Sequence, residues 1–143
     1  MCLERTLILV KPDGIAKNLV GEIIRRVQEN GLMIMGSITT HAPAEFVEQL
    51  YAEGTGRWYF EEVVARVSSA PVMILLIEGI GAVQKVKFRI VGKYPDGIRG
   101  EYSESPIRNI AHAPDSIEAA AREILLVRSF FGEKGSWPKN WSI

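Results

Sequence analysis

The chain has 143 residues, 47% hydrophobic and 24% charged, a balance that fits one compact domain with a substantial core and excludes a disordered or fibrous polymer. Seventeen Lys and Arg offset seventeen Asp and Glu, so no net field draws the molecule to nucleic acid or an anionic membrane, and any anion site has to be built locally. The single cysteine, Cys2, cannot close an intramolecular disulfide, which is compatible with a reducing cytosol.

The opening "MCLERTLILVKPDG" is too short in its apolar run and too charged for a secretory signal. No window reaches the roughly 18 apolar residues of a membrane span. The expectation is a soluble cytoplasmic protein of one domain over 1–143, with a tail from about 132.

Thr6 to Val10, β-branched and aliphatic, reads as a buried strand stopped by the turn Pro12-Asp13-Gly14, which leaves Lys11 at the strand end. Leu19, Val20, Ile23, Ile24 and Val27 fall at helical spacing, with Asn18 able to cap the start and Gly31 the end. Leu32 to Thr40 reads as a second strand. A short helix from about Ala44 to Ala52 follows Pro43, and Phe60, Val63, Val64 and Val67 repeat at helical spacing beyond a Gly-Thr-Gly break. Pro71 to Ile77 is the most apolar run and reads as a central strand covered on both faces.

Gly81 to Val91 has a helical pattern, and Gly92 to Ser105 reads as a loop carrying Lys93 and Arg99. The last helix starts at Asp115 or Ser116, since Asp115 and Glu118 have capping-box spacing. The tail "GEKGSWPKNWSI" has no periodicity. Strands alternating with helices suggest an α/β sandwich, without fixing the strand order.

His112 stands in the apolar stretch "NIAHA", just before that last helix. An imidazole there feels the positive end of the helix dipole, which favours its neutral, nucleophilic form, and the same N–H groups attract an anion. A phosphoryl group is the natural anion, because its transfer asks for in-line positioning and cations. Lys11, Arg99 and Arg108 are candidate cations. By residue type alone, though, a histidine near a helix start is more often structural. Lys11 and Arg99 taken singly are ordinary surface charges, and Tyr51 and Tyr59 ordinary packing residues. His41, at a loop entry with no cluster around it, has a weaker case. Zinc-binding Cys/His spacing, a P-loop and a nucleophile-elbow serine are all missing.

The segments "ERTLILVKPDG", "LVGEIIRRVQENG", "SSAPVMILLIEG", "GIRGEY" and "IRNIAHAPDSIEAAAREI", in that order from about Glu4 to Ile124, resemble nucleoside diphosphate kinase. The resemblance implies a ferredoxin-like α/β sandwich, an antiparallel sheet with helices packed on it. It implies transfer of the γ-phosphoryl group of a nucleoside triphosphate to a nucleoside diphosphate through a phosphohistidine. His112 would be the nucleophile and Glu123 the carboxylate that orients it. Lys11 and Arg99 would bind phosphate, Asn109 the sugar and phosphates, Tyr51 would lie near the histidine, and Tyr59 would stack on the base. A magnesium ion would be bound through the nucleotide phosphates, with no metal held by the protein alone. The partners would be nucleoside triphosphates and diphosphates, with no nucleic acid or membrane, and the assembly a homo-oligomer, hexamer or tetramer. Trp137 and Trp141 in the tail would then pack on a neighbouring subunit.

Three departures from the family pattern mark this chain. Pro114 stands where the family has a serine that bonds the glutamate. The loop from Gly92 to Arg99 is several residues short and lacks the Thr-Asn-Pro segment. The family's phosphate-binding arginine falls on Lys87 when counted forward from Glu78-Gly79 and on Phe88 when counted back from Gly92; Lys87, which keeps the charge, is the expected residue. The runner-up reading is a catalytically weak nucleotide-binding module acting through oligomeric assembly. A nucleic-acid-binding role has little support.

Overall fold

The computed structural model describes residues 2–93 and 95–138. Three long strands follow from three apolar runs: β1 (Leu3–Val10), β2 (Met33–His41) and β3 (Pro71–Ile80). A fourth, β4 (Ala111–His112), is only two residues long. They form one antiparallel sheet in the order β2-β3-β1-β4.

Alternation decides which side chain meets which layer. In β1, Leu7 and Leu9 join Ile74 and Leu76 of β3 in one core; Ile8 and Val10 join Leu75 and Ile77 in another. Both faces of β3 are covered, as its unbroken apolar run implies. The first core is closed by α3 (Ala44–Leu50), α4 (Phe60–Val67) and α7 (Ile117–Phe131). The second is closed by α2 (Val20–Glu29) and by a helix that begins as α5 (Ala82–Gln84) and continues as a π-helical turn over Lys85–Ile90.

Several boundaries differ from the sequence expectation for local reasons. Pro12 opens a short helix, α1 (Pro12–Ala16), where a turn was expected; its missing N–H costs nothing in a first helical turn. Asn18 adopts φ 58° and turns the chain, so Leu19 precedes α2 without a side-chain cap. Gly31 ends α2 as expected: at φ 72° it allows Leu32 N–H to reach Val27 O at 3.2 Å and its own N–H to reach Gln28 O at 3.0 Å. The cap of α7 is Ser116, whose Oγ accepts Ala119 N–H at 3.0 Å, so Asp115 lies outside the helix. Within the expected loop, α6 (Ile98–Tyr102) forms around the buried Ile98.

The tail returns to its own chain. Ser136 N–H donates to Ser37 O at 2.8 Å and Ser37 N–H to Ser136 Oγ at 3.3 Å, beside an irregularity in β2 between Ile34 and Gly36. Gly36 has no Cβ, and one would collide with the Ser136–Trp137 backbone. Trp137 packs on the first core and donates Nε1–H to Gly132 O at 3.0 Å. Trp137 therefore has a place on its own chain, where the sequence suggested a neighbouring subunit; Trp141 lies outside the described residues.

Candidate active site

The C-terminal end of β1, β4 and the N-terminus of α7 meet at one place, and the sequence-designated residues gather there. Pairing of β4 with β1 sets His112 opposite Leu9. Its Nε2 lies 2.5 Å from Glu123 Oε1 of α7, with the histidine side chain 13% and the glutamate 4% exposed. A carboxylate oxygen accepts, so in the neutral imidazole the proton sits on Nε2 and Nδ1 keeps its lone pair.

Two adjoining cavities, of about 310 and 550 Å3, share Tyr51 and Tyr59 on their walls. The smaller holds His112, Glu123, Lys87, Pro114 and Arg122; the larger holds Lys11, Arg99, Lys93 and Asn109. The cleft is therefore lined by cations on both sides of the two tyrosines. A still larger cavity lies between the end of α7 and the tail, away from His112.

Lys11, at the end of β1, is buried and donates Nζ–H to Ile107 O and Asn109 Oδ1, both at 2.7 Å. Burial pushes its ammonium down to about 8, against the pull of Asp13. Asn109 is fixed from its other side by Nδ2–H to Pro106 O at 3.1 Å. Arg99 donates Nε–H to Ala111 O at 2.9 Å, and burial lowers its affinity for its proton. The Tyr51 ring lies 5.0 Å from that of His112. Its hydroxyl is buried with no hydrogen-bond partner, and desolvation raises its pKa. An unpartnered buried hydroxyl facing a cationic cleft is a donor awaiting an acceptor. The half-buried Tyr59 ring lies against Gly54 and meets exposed Trp58 edge to face at 5.5 Å.

A π-helical turn sets Lys87 and Phe88 on different sides of their helix. Val91 N–H bonds Val86 O at 2.8 Å, five residues back, so one extra residue is absorbed inside the helix. Lys87 faces the cleft with Nζ 3.3 Å from Ala113 O, while Phe88 is 53% exposed. Burial, then the Arg99 charge, lowers the Lys87 pKa.

The chain and its fold have counterparts among known proteins. The family model for nucleoside diphosphate kinase matches residues 4–134. The chain belongs to the nucleoside diphosphate kinase family. It is 40% identical over 132 residues to the nucleoside diphosphate kinase of Saccharolobus islandicus, covering 88% of this chain and 95% of that one. It is 39% identical over 140 residues to that of Sulfurisphaera tokodaii, covering 94% and 92%. In structure it is similar to the nucleoside diphosphate kinase of Aquifex aeolicus, with a TM-score of 0.82 at 31% identity, covering 88% and 95% of the two chains. Family membership carries the activity, phosphoryl transfer between nucleotides, and the reading as a weak nucleotide-binding module is not favoured.

Against the nucleoside diphosphate kinase pattern, Pro114 is buried beside His112 and has no hydrogen to give Glu123. Arg122 was not singled out in the sequence. Its Nη1–H donates to Gln49 O at 3.1 Å, at the end of α3, and its Nη2 lies 3.7 Å from Glu123 Oε2. Adjacent helical positions point about 100° apart, so spacing gave no reason to pair Arg122 with Glu123; the length of the guanidinium arm makes the contact. The shortened loop is anchored by Arg26 of α2, which donates to Asp96 O and Glu101 Oε1, both at 2.8 Å.

Proposed function

We propose that His112 is the nucleophile of a two-step transfer. In the first step Nδ1 attacks the γ-phosphorus of a nucleoside triphosphate, the bond from that phosphorus to the bridging oxygen breaks, and the diphosphate leaves. In the second, a terminal phosphate oxygen of another diphosphate attacks the phosphohistidine and frees Nδ1. The observation that carries this reading is the 2.5 Å contact of Nε2 with Glu123, which orients Nδ1 as the free nitrogen.

Lys11, Arg99 and Lys87 would offset charge on the phosphate oxygens, and the Tyr51 hydroxyl would give one of them its hydrogen bond. Asn109 would contact sugar and phosphates, and Tyr59 would stack on the base, a contact that tolerates any base. These inward-facing groups are donors suited to phosphate oxygens and not to a cation. A magnesium ion would accordingly be bound through the nucleotide phosphates, where it neutralises charge.

The same reading includes a single domain over 1–143, a cytoplasmic location and a homo-oligomer, hexamer or tetramer. Among the described residues no helix is long and apolar enough to cross a membrane. Leu3, Ile80 and Met33, exposed on neighbouring strands at one end of the sheet, support self-association.

Labelling with ATP carrying a radioactive γ-phosphate tests the chemistry. The expected product is an acid-labile, base-stable phosphoprotein whose label passes to added GDP. Label that survives acid, or persists in His112→Ala, contradicts the assignment.

A further inference from the structure

Phosphoryl transfer uses Lys11 of the Lys-Pro-Asp-Gly segment and leaves Asp13 and Gly14, both in α1, unexplained. Ile110 is their counterpart. It is β-branched, fully buried, and has φ 78°, a region such residues rarely adopt. Ala111 N–H bonds Asn109 O at 2.9 Å across it, closing a three-residue γ-turn between Asn109 and His112.

Both polar groups of Ile110 are held from the start of α1, just after β1. Its N–H donates to Asp13 Oδ2 at 2.9 Å, and its carbonyl accepts Lys11 N–H at 2.8 Å. Gly14 leaves the room: a Cβ there would stand 2.7 Å from Ile110 O and 2.9 Å from Val10 Cγ1. A conformation this unfavourable persists only where its surroundings over-determine it. Its effect is to send Asn109 toward Lys11 on one side and His112 onto β4 on the other.

We propose that Asp13 is a positioning residue for phosphoryl transfer, its carboxylate holding the Ile110 γ-turn so that His112 stands in line with the γ-phosphorus. The proposal rests on His112 as the nucleophile. Asp13 also places a negative charge beside Lys11, and a test has to separate that charge from the hydrogen bond.

Asp13→Asn keeps an acceptor at the same reach and loses the charge; Asp13→Glu keeps the charge and displaces the acceptor. Rates of phosphohistidine formation are measured in single turnover at saturating ATP with magnesium, at a temperature where circular dichroism shows each protein folded. Expected are Asp13→Asn within about threefold of wild type and Asp13→Glu and Asp13→Ala slowed tenfold or more, with nucleotide KM changed less than about threefold. Removing the acceptor from an Ile110→Gly background should cost less than threefold, because glycine needs no holding at positive φ.

A wild-type rate in Asp13→Ala overturns the proposal, as does a slow Asp13→Asn beside a normal Asp13→Glu, which would make the charge on Lys11 the whole effect. So does a loss confined to KM. His112→Ala is run alongside: if it is still phosphorylated, the nucleophile assignment fails, whereas an unlabelled His112→Ala with a normal Asp13→Ala sinks the positioning role alone.

Discussion

A lysine buried as deeply as Lys11 is a proton-linked group, and the sign of the linkage follows from its folded value of about 8 against the ordinary 10.5. Below 8 both folded and unfolded chains carry the proton, and the folded chain bears the full cost of the buried charge. Between 8 and 10.5 the folded chain binds fewer protons, so this group's cost is relieved as pH rises through that window. Phosphate binding acts the other way, because an anion favours the charged form. Nucleotide binding near pH 8 should therefore take up protons, detected calorimetrically as a binding enthalpy that changes with the ionisation enthalpy of the buffer. The uptake should shrink in Lys11→Met; an unchanged uptake there would place the titrating group elsewhere. In the sequence Lys11 was legible as a strand-end cation. Its burial and the Asn109 contact were not, since both depend on a segment nearly a hundred residues away. Arg122 was invisible for the reason of helical geometry given above.

At the scale of elements, the π-helical turn of Lys85–Ile90 assigns different fates to two neighbours. Lys87→Ala should lower kcat/KM by about 10- to 100-fold, the loss of one charged donor to a phosphate oxygen. Phe88→Ala should leave it within about threefold. The reverse order would mean that the helix is regular in solution and Phe88 faces the nucleotide. Loss of the α7 cap is a separate test: Ser116→Ala should cost about 1 kcal/mol in denaturant unfolding, and Asp115→Ala much less, because Ser116 makes the capping bond. Elements with their own signal, the helical period of α2 and the unbroken apolar run of β3, were legible from the sequence. The two-residue β4 and five-residue α6 carry too few residues to show a period, and they exist because β1 and the Ile98 pocket receive them. The π turn showed only as a one-residue slip between two ways of counting.

For the whole molecule, the arrangement of two cores on one sheet explains why His112 can stand at its edge yet be nearly buried: β4 pairs with β1, and α7 covers it with Glu123. The strand order was beyond the sequence pattern, since alternation tells which face a residue takes and not which strand lies beside it. The tail's place on its own chain was not legible either, because Trp137 looks unpartnered until Gly36 is seen to leave space for it. Gly36→Val should displace the tail, shifting tryptophan emission to the red while kcat stays within about twofold, since the tail lies apart from the cleft. Light scattering of the purified protein should give a homo-oligomer, and a monomer at all concentrations would contradict that part of the account.

The central claim is that His112 takes the phosphoryl group, and intact mass after incubation with ATP and magnesium tests it most directly. The wild-type chain should gain one phosphoryl group and lose it on addition of a nucleoside diphosphate, while His112→Ala gains none. A wild-type chain that binds ATP and gains no mass, or a His112→Ala chain that gains it, would contradict the account.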